Sequence, residues 1–122
     1  MPSSPRDADR RWTVLPFGLV DVSGPSMVPT LRDGDVLLVR HGARIRPGDV
    51  VLARFRTMPE RYVVKRAVRF EDGGWHVGSD NHQAGSAADS LTHGIADVSG
   101  RASLSWSADR TGLRRWVPRR VR

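Results

Sequence analysis

The chain has 122 residues, of which 39% are hydrophobic and 27% charged, a composition that is typical of one folded domain and excludes a disordered chain. Because it contains no cysteine, a disulfide framework, a thiol nucleophile and a thiolate metal site are excluded as well. The net charge of +7 is concentrated at one end, since residues 101–122 carry seven arginines and a single acid.

The two ends of the chain differ from its body in composition. Residues 1–11 are predicted to be a flexible lead-in, and the arginine-rich residues 108–122 a basic tail, either solvated or in weak contact with an anionic surface. The body, residues 12–107, is predicted to be the folded domain. No segment reaches the ~20 apolar residues of a spanning helix, and the stretch from Trp12 to Val22 lacks the features of a secretory signal. We therefore expect a soluble, cytoplasmic protein without a transmembrane segment.

Hydrophobic periodicity within the body favours strands over helices. Short β-branched runs alternate with turn signals such as Arg46-Pro47-Gly48-Asp49. The pattern predicts a mainly β fold with little helix, a small domain of short strands arranged as a sandwich or a partly closed barrel. In chain order, the predicted strands span residues 36–39, 50–55, 62–70, 75–77 and 95–106.

Lys65 is the only lysine among twenty basic residues, and it lies in the apolar run from Tyr62 to Val68. A guanidinium does not deprotonate inside proteins, whereas a buried ammonium can lose its proton and become a base. Burial among apolar side chains can lower a lysine pKa from ~10.4 to roughly 7 or 8, which a general base at neutral pH requires. Lys65 is therefore a candidate general base.

Ser26 is the candidate nucleophile that such a base would activate. It follows Gly24 and Pro25 and precedes Pro29, so the chain path around it is tight. This path can aim the hydroxyl and the backbone N–H of Ser26 into one cleft, as stabilisation of an acyl-transfer oxyanion requires. A serine hydroxyl is a poor nucleophile until a neighbouring base takes its proton. Together, Ser26 and Lys65 predict a Ser/Lys hydrolase.

Less specific interpretations are open for each residue. Lys65 could extend its ammonium to water, as half-buried lysines do, and Ser26 could be an exposed serine in an ordinary turn. A Ser/His/Asp triad using His82 or His93 would leave Lys65 unexplained. The four histidines show no metal-ligand spacing, so we expect no metal and no cofactor.

Four segments of the chain resemble the successive boxes of the type I signal peptidase family of Ser/Lys peptidases. The resemblance extends over residues 20–101. Because of its small size, the chain is most similar to soluble members of that family, the nickel-type superoxide dismutase maturation proteases. The four segments are Ser-Gly-Pro-Ser-Met-Val-Pro-Thr-Leu (23–31), Gly-Asp-Val-Val-Leu (48–52), Val-Val-Lys-Arg-Ala-Val (63–68) and Gly-Gly-Trp-His-Val-Gly-Ser-Asp-Asn (73–81).

The resemblance implies a soluble serine endopeptidase that removes an N-terminal extension from a precursor protein, and it implies nickel-type superoxide dismutase as that precursor. Ser26 would be the nucleophile and, through its backbone N–H, an oxyanion donor, while Lys65 would be the general base. The substrate would lie extended as an added strand. Supporting roles are implied for Ser86, Asp80, Asn81 and Asp89, and shallow pockets for small side chains are implied at Val20, Val22, Met27 and Val64.

The chain departs from the family pattern in two places near Lys65. The usual Gly-Asp-Asn reads Ser79-Asp80-Asn81, and the serine that would hydrogen-bond the lysine falls at Ser86 or Ala87. Leu91 replaces an arginine, which leaves Asp89 without that ion-pair partner. The surroundings of Lys65 therefore differ from those of the family.

Three alternative functions are open from the sequence. The same chemistry could process a different precursor. A self-cleaving repressor-type domain would share the dyad, but it predicts a DNA-binding helix-turn-helix that we do not find in this sequence. A non-catalytic module would bind nucleic acid or a membrane surface through the arginine-rich end, and its binding would be sensitive to salt.

Overall fold

The computed structural model describes residues 11–14, 16–81, 89–107 and 118–122. These residues form one helical turn, α1 (Ser90–His93), and eight strands. The strands are β1 (Arg11–Val14), β2 (Phe17–Asp21), β3 (Val36–His41), β4 (Val50–Phe55), β5 (Val63–Glu71), β6 (Gly74–Gly78), β7 (Ala96–Trp106) and β8 (Arg119–Arg120).

The strands form one antiparallel sheet in the order β1-β2-β3-β7-β4-β5-β6. β6 also pairs with β7 through Trp75 and Ala96, so β7, β4, β5 and β6 close into a ring. β3, β2 and β1 extend the sheet from β7, along the edge opposite to β4. The prediction of a mainly β fold with little helix is confirmed, and the closed ring with its open extension makes it a partly closed barrel.

β7 joins the two parts of the sheet because β3 pairs along one of its edges and β4 along the other. A register shift interrupts each of these pairings. Gly100 lies where β3 and β7 approach each other closely, and a Cβ atom at this position would be only 2.6 Å from the carbonyl oxygen of Arg40. A side chain here would push the two strands apart, so glycine is required for the close approach.

The core consists of two hydrophobic clusters, and β4 contributes to both. Val50 and Leu52 pack in the first cluster, whereas Val51, Ala53 and Phe55 pack in the second. A strand that is buried on both faces has a continuous apolar run instead of an alternating one. This explains why residues 50–55 were recognisable as a strand from sequence.

The arginine-rich end contributes to the sheet. Residues of β8 pair with Leu104 and Ser105 of β7, and the N–H of Val121 donates to the carbonyl of Ser103. Val121 also packs against the first cluster. Part of the range predicted as a basic tail therefore docks on the domain, while residues 108–117 lie outside the described part of the chain.

The described helix is far too short to cross a membrane, since α1 has only 4 residues.

Candidate active site

Ser26 lies in the turn that connects β2 to β3. Gly24 begins this turn with a φ of +83°, a conformation that suits glycine, and its N–H donates to the carboxylate of Asp33 at 2.8 Å. Met27 and Leu31 are each 1% exposed and anchor the other side of the turn in the first cluster. The backbone that carries the half-buried Ser26 is therefore held on both sides.

Asn81 holds the turn of Ser26 from the end of β6. Its backbone N–H donates to the carbonyl of Ser26 at 2.9 Å, and its side-chain amide donates to the carbonyl of Pro25 at 3.0 Å. These contacts place the predicted supporting residue Asn81 against the nucleophile segment. It supports that segment through two consecutive backbone carbonyls.

Asp80 links the same turn to β5. Its carboxylate accepts a hydrogen bond from the hydroxyl of Thr30 and two from the guanidinium of Arg66. Arg66 also donates to the carbonyl of Gly48 at 2.8 Å. This partly buried network ties the predicted supporting residue Asp80 to the strand that carries Lys65.

Lys65 is 2% exposed on β5. Alternation along the strand places it on the same side as Val63 and Ala67, which pack in or against the second cluster. Burial lowers the pKa of Lys65 below the ordinary value of 10.5; the nearby carboxylate of Asp89 opposes this shift, and the guanidinium of Arg61 adds to it. The net effect of these three influences is that the neutral amine of Lys65 is more favoured than that of a lysine in water.

The amine of Lys65 contacts a hydroxyl that the sequence prediction did not select. Its Nζ atom is 2.9 Å from Oγ of Ser79, and that oxygen is 2.5 Å from Oδ1 of Asp89. The same carboxylate oxygen is 3.7 Å from Nζ of Lys65. Ser86 and Ala87, where this serine was predicted, lie outside the described residues.

A sequence signal for Ser79 did exist, because it occupies the glycine position of the Gly-Asp-Asn box. The sequence could not show which residue this serine contacts, and the antiparallel register of β5 and β6 does. Gly78 pairs with Arg66, so the next residue, Ser79, faces Lys65 across the two strands. Asp89, predicted to lack its arginine partner, pairs with Lys65, while Leu91 is 88% exposed.

Ser26 and Lys65 line one cavity of about 350 Å³. Val22, Met27 and Val64 also line it, in the positions suggested for substrate contact. The remaining lining residues come from the turn after β2, from β4, β5 and their connection, and from α1. They were not selected from the sequence as substrate-binding residues, because no local pattern brings these elements together. They are Ser23, Gly24, Pro25, Phe55, Met58, Arg61, Tyr62, Val63 and His93.

Val20, predicted to form a substrate pocket, is not among the residues that line this cavity. Its side chain is 0% exposed and packs in the first cluster, on the inward face of β2. The alternation of exposed and buried residues along β2 points Val20 into the core.

A serine hydroxyl and a buried amine that open to the same cavity form the minimum set for nucleophilic catalysis with a lysine base. Burial of Lys65 disfavours its ammonium form, and hydrogen bonds from Asn81 fix the turn of Ser26. The arrangement is suited to acyl transfer.

Comparison with known proteins gives one family match and several similar proteins. A profile described as Peptidase S24-like matches residues 15–95. The "Mitochondrial inner membrane protease subunit 1" of Homo sapiens is 38% identical over 58 residues, which cover 44% of this chain and 35% of that protein. The protein of the same name from Xenopus tropicalis is 40% identical over 57 residues, covering 43% and 34%.

A plant protein gives a similar match. The "Mitochondrial ATP-independent inner membrane protease subunit 1a" of Arabidopsis thaliana is 47% identical over 55 residues, which cover 41% of this chain and 33% of that protein. The matched stretch therefore spans about a third of the length of these curated relatives.

The sequence-based prediction of a signal-peptidase-like peptidase domain is confirmed at the level of the family, while the specificity for a nickel superoxide dismutase stays a prediction. The matched residues 15–95 include the turn of Ser26, the strand of Lys65 and the carboxylate of Asp89. The profile covers more than half of the chain, and the chain belongs to the Peptidase S24-like family.

Proposed function

We propose that the protein is a serine endopeptidase in which Ser26 is the nucleophile and Lys65 the general base. The observation that carries this proposal is the burial of the only lysine of the chain at a cavity that Ser26 also lines. Ser26 Oγ attacks the scissile carbonyl while Lys65 Nζ accepts its proton. Lys65 passes that proton to the departing amine of the substrate. The neutral amine of Lys65 then activates the water that releases the acyl-enzyme.

The backbone N–H of Ser26 is the proposed oxyanion donor. Hydrogen bonds from Asn81 to the carbonyls of Pro25 and Ser26 hold the turn, which fixes the direction of this N–H before substrate arrives. A preorganised donor stabilises the developing negative charge without a reorganisation cost during the reaction.

The proposed substrate is an extended segment of a precursor protein, cut to release an N-terminal extension. The apolar walls at Val22, Met27 and Val64 suit the side chain of such a segment. Similarity to proteins named as inner membrane protease subunits supports precursor processing as the general activity. Nickel-type superoxide dismutase is the precursor that we propose to test first, on the resemblance of the sequence motifs.

The experiment is incubation of the purified protein with this precursor, followed by mass spectrometry of the new N-terminus. Ser26→Ala and Lys65→Arg should each abolish processing, because the first lacks the nucleophile and the second keeps a cation that cannot serve as the base. Ser99→Ala is the matched control, since its hydroxyl donates to the carbonyl of Leu52, away from the cavity lining. Processing that survives both active-site substitutions would refute the dyad.

A further inference from the structure

We propose that Ser79, together with Asp89, is a positioning pair that directs the lone pair of the Lys65 amine toward Ser26. This inference rests on the proposed function, because it concerns the base of the same reaction. It assigns a role to a residue that stands where the resembled family has glycine.

The directions of the hydrogen bonds follow from the chemistry of the three groups. An ionised carboxylate can only accept, so the single hydroxyl proton of Ser79 goes to Asp89, at an O–O distance of 2.5 Å. The Ser79 oxygen must then accept from Nζ of Lys65, at 2.9 Å. A neutral amine has two N–H groups and one lone pair. Because Ser79 takes one of the N–H groups, the lone pair is left for the proton of Ser26.

The hydroxyl also limits how strongly Asp89 stabilises the ammonium. The carboxylate is 3.7 Å from Nζ of Lys65, beyond direct hydrogen-bond distance, while its short bond is to Ser79. Direct contact would favour the charged lysine and remove the base. At its present distance, the carboxylate can still stabilise the ammonium that forms when Ser26 gives up its proton.

The backbone holds this arrangement in place. Ser79 follows β6, whose last residue Gly78 pairs with Arg66 of β5. Asp89 directly precedes α1, and its carbonyl accepts from the N–H groups of Thr92 and His93. The two positioning residues are therefore fixed by different elements of the fold.

The single lysine makes a direct test possible without a substrate. Protein labelled with ¹³C only at the lysine Cε gives one side-chain NMR signal, from which the pKa of Lys65 is titrated. Among the described residues, Asp89 and Arg61 act on the charge of the amine and His93 lines the same cavity, so Arg61 and His93 stay unchanged in the variants.

The two positioning variants should move this pKa in opposite directions. In Ser79→Ala the carboxylate loses its donor and turns to the ammonium, which raises the pKa of Lys65. In Asp89→Asn the opposing charge is removed, which lowers it. Ser79→Thr keeps the hydroxyl and should titrate like the wild type, as should the control Ser99→Ala. Absence of a shift in Ser79→Ala would overturn the proposal whether or not a substrate is known.

Kinetics with a processed precursor give the second measurement. Ser79→Ala should lower kcat roughly 10- to 100-fold with little change in KM, because the substitution misdirects the base and leaves substrate binding intact. The acid limb of its pH–rate profile should move to higher pH, and Ser79→Thr should restore both. In Asp89→Asn the introduced side-chain amide can donate to Ser79, so the Ser79 hydroxyl turns its proton toward the lone pair of the Lys65 amine. We therefore expect kcat to fall, although the acid limb of the pH–rate profile moves to lower pH.

Three outcomes would contradict the proposal. The first is a loss of kcat in Ser86→Ala with none in Ser79→Ala, since Ser86 would then hold the amine. The second is a loss in Ser79→Ala that Ser79→Thr does not restore. The third is a fall in kcat without a shift of the acid limb, which would indicate a merely structural role. Should the NMR shifts appear as expected while no precursor is processed, the proposed function fails and the positioning contact stands.

Discussion

At the scale of single residues, the composition of the chain was the strongest predictor of its site. A chain that uses arginine at nearly every basic position has its one lysine where a deprotonatable amine is buried. Ser26 was predictable because the Gly and Pro residues beside it produce a tight turn. The contact of Ser79 with Lys65 was not predictable, because it depends on the register of β5 and β6, which no local pattern specifies.

Gly24 allows a residue-scale prediction about the nucleophile turn. Its φ is +83°, so Gly24→Ala should cost about 1 to 2 kcal/mol of unfolding free energy. We also expect kcat to fall, because the strain is relieved by movement of the turn that carries Ser26. Urea unfolding and precursor processing measure the two effects.

The control for this change is Gly42→Ala, between β3 and β4. Its φ is +70°, and at both glycines no atom lies within 4 Å of the added Cβ. The strain is therefore comparable, whereas only Gly24 adjoins the cavity. Equal losses of kcat in the two variants would show that strain anywhere in the domain, and not the path of the nucleophile turn, limits the rate.

At the scale of elements, the sequence predicted strands wherever apolar runs are bounded by turn signals. β3 to β7 were found in this way, with ends within two residues of those observed. β1, β2 and β8 were missed. Arg11–Val14 and Arg119–Arg120 have no clear apolar alternation, Phe17–Asp21 is interrupted by Gly18, and pairing with neighbouring strands is what makes these segments strands. Tertiary pairing overrides local preference in such short segments.

The ion pair between Asp80 and Arg66 allows a prediction about how elements are joined. Its side chains are only 16% and 23% exposed, and Asp80 also accepts from Thr30 in the nucleophile turn. Asp80→Ala should cost about 2 kcal/mol of unfolding free energy, since charged hydrogen bonds are lost from a partly buried site. Processing should slow as well, because the turn loses its link to β5.

A second Asp–Arg pair provides the comparison. Asp97 and Arg56 are 56% and 45% exposed and lie away from the cavity lining, so Asp97→Ala should leave stability and processing nearly unchanged. The measurement is urea unfolding of both variants with the wild type. If Asp97→Ala were as destabilising as Asp80→Ala, burial would not explain the role of the Asp80 network.

At the scale of the whole molecule, the buried lysine should couple folding to pH. In the folded protein the pKa of Lys65 lies below 10.5, because burial disfavours the ammonium, whereas in the unfolded chain it returns to the ordinary value. Between the two values the unfolded chain binds one more proton at this site. The free energy of unfolding therefore rises with pH across this window, up to 10.5, and the penalty is complete below the folded pKa.

Replacement of the amine by an apolar group of similar length should remove this dependence. In Lys65→Met the carboxylate of Asp89 loses its ion-pair partner at 3.7 Å but keeps its short hydrogen bond from Ser79. We expect Lys65→Met to be more stable than the wild type at neutral pH, and the difference to shrink as pH approaches 10.5. Urea unfolding of both proteins over this pH range measures the difference. Parallel pH dependences would mean that the folded protein holds Lys65 as an ammonium at no cost, and a lysine held in that way could not be the base.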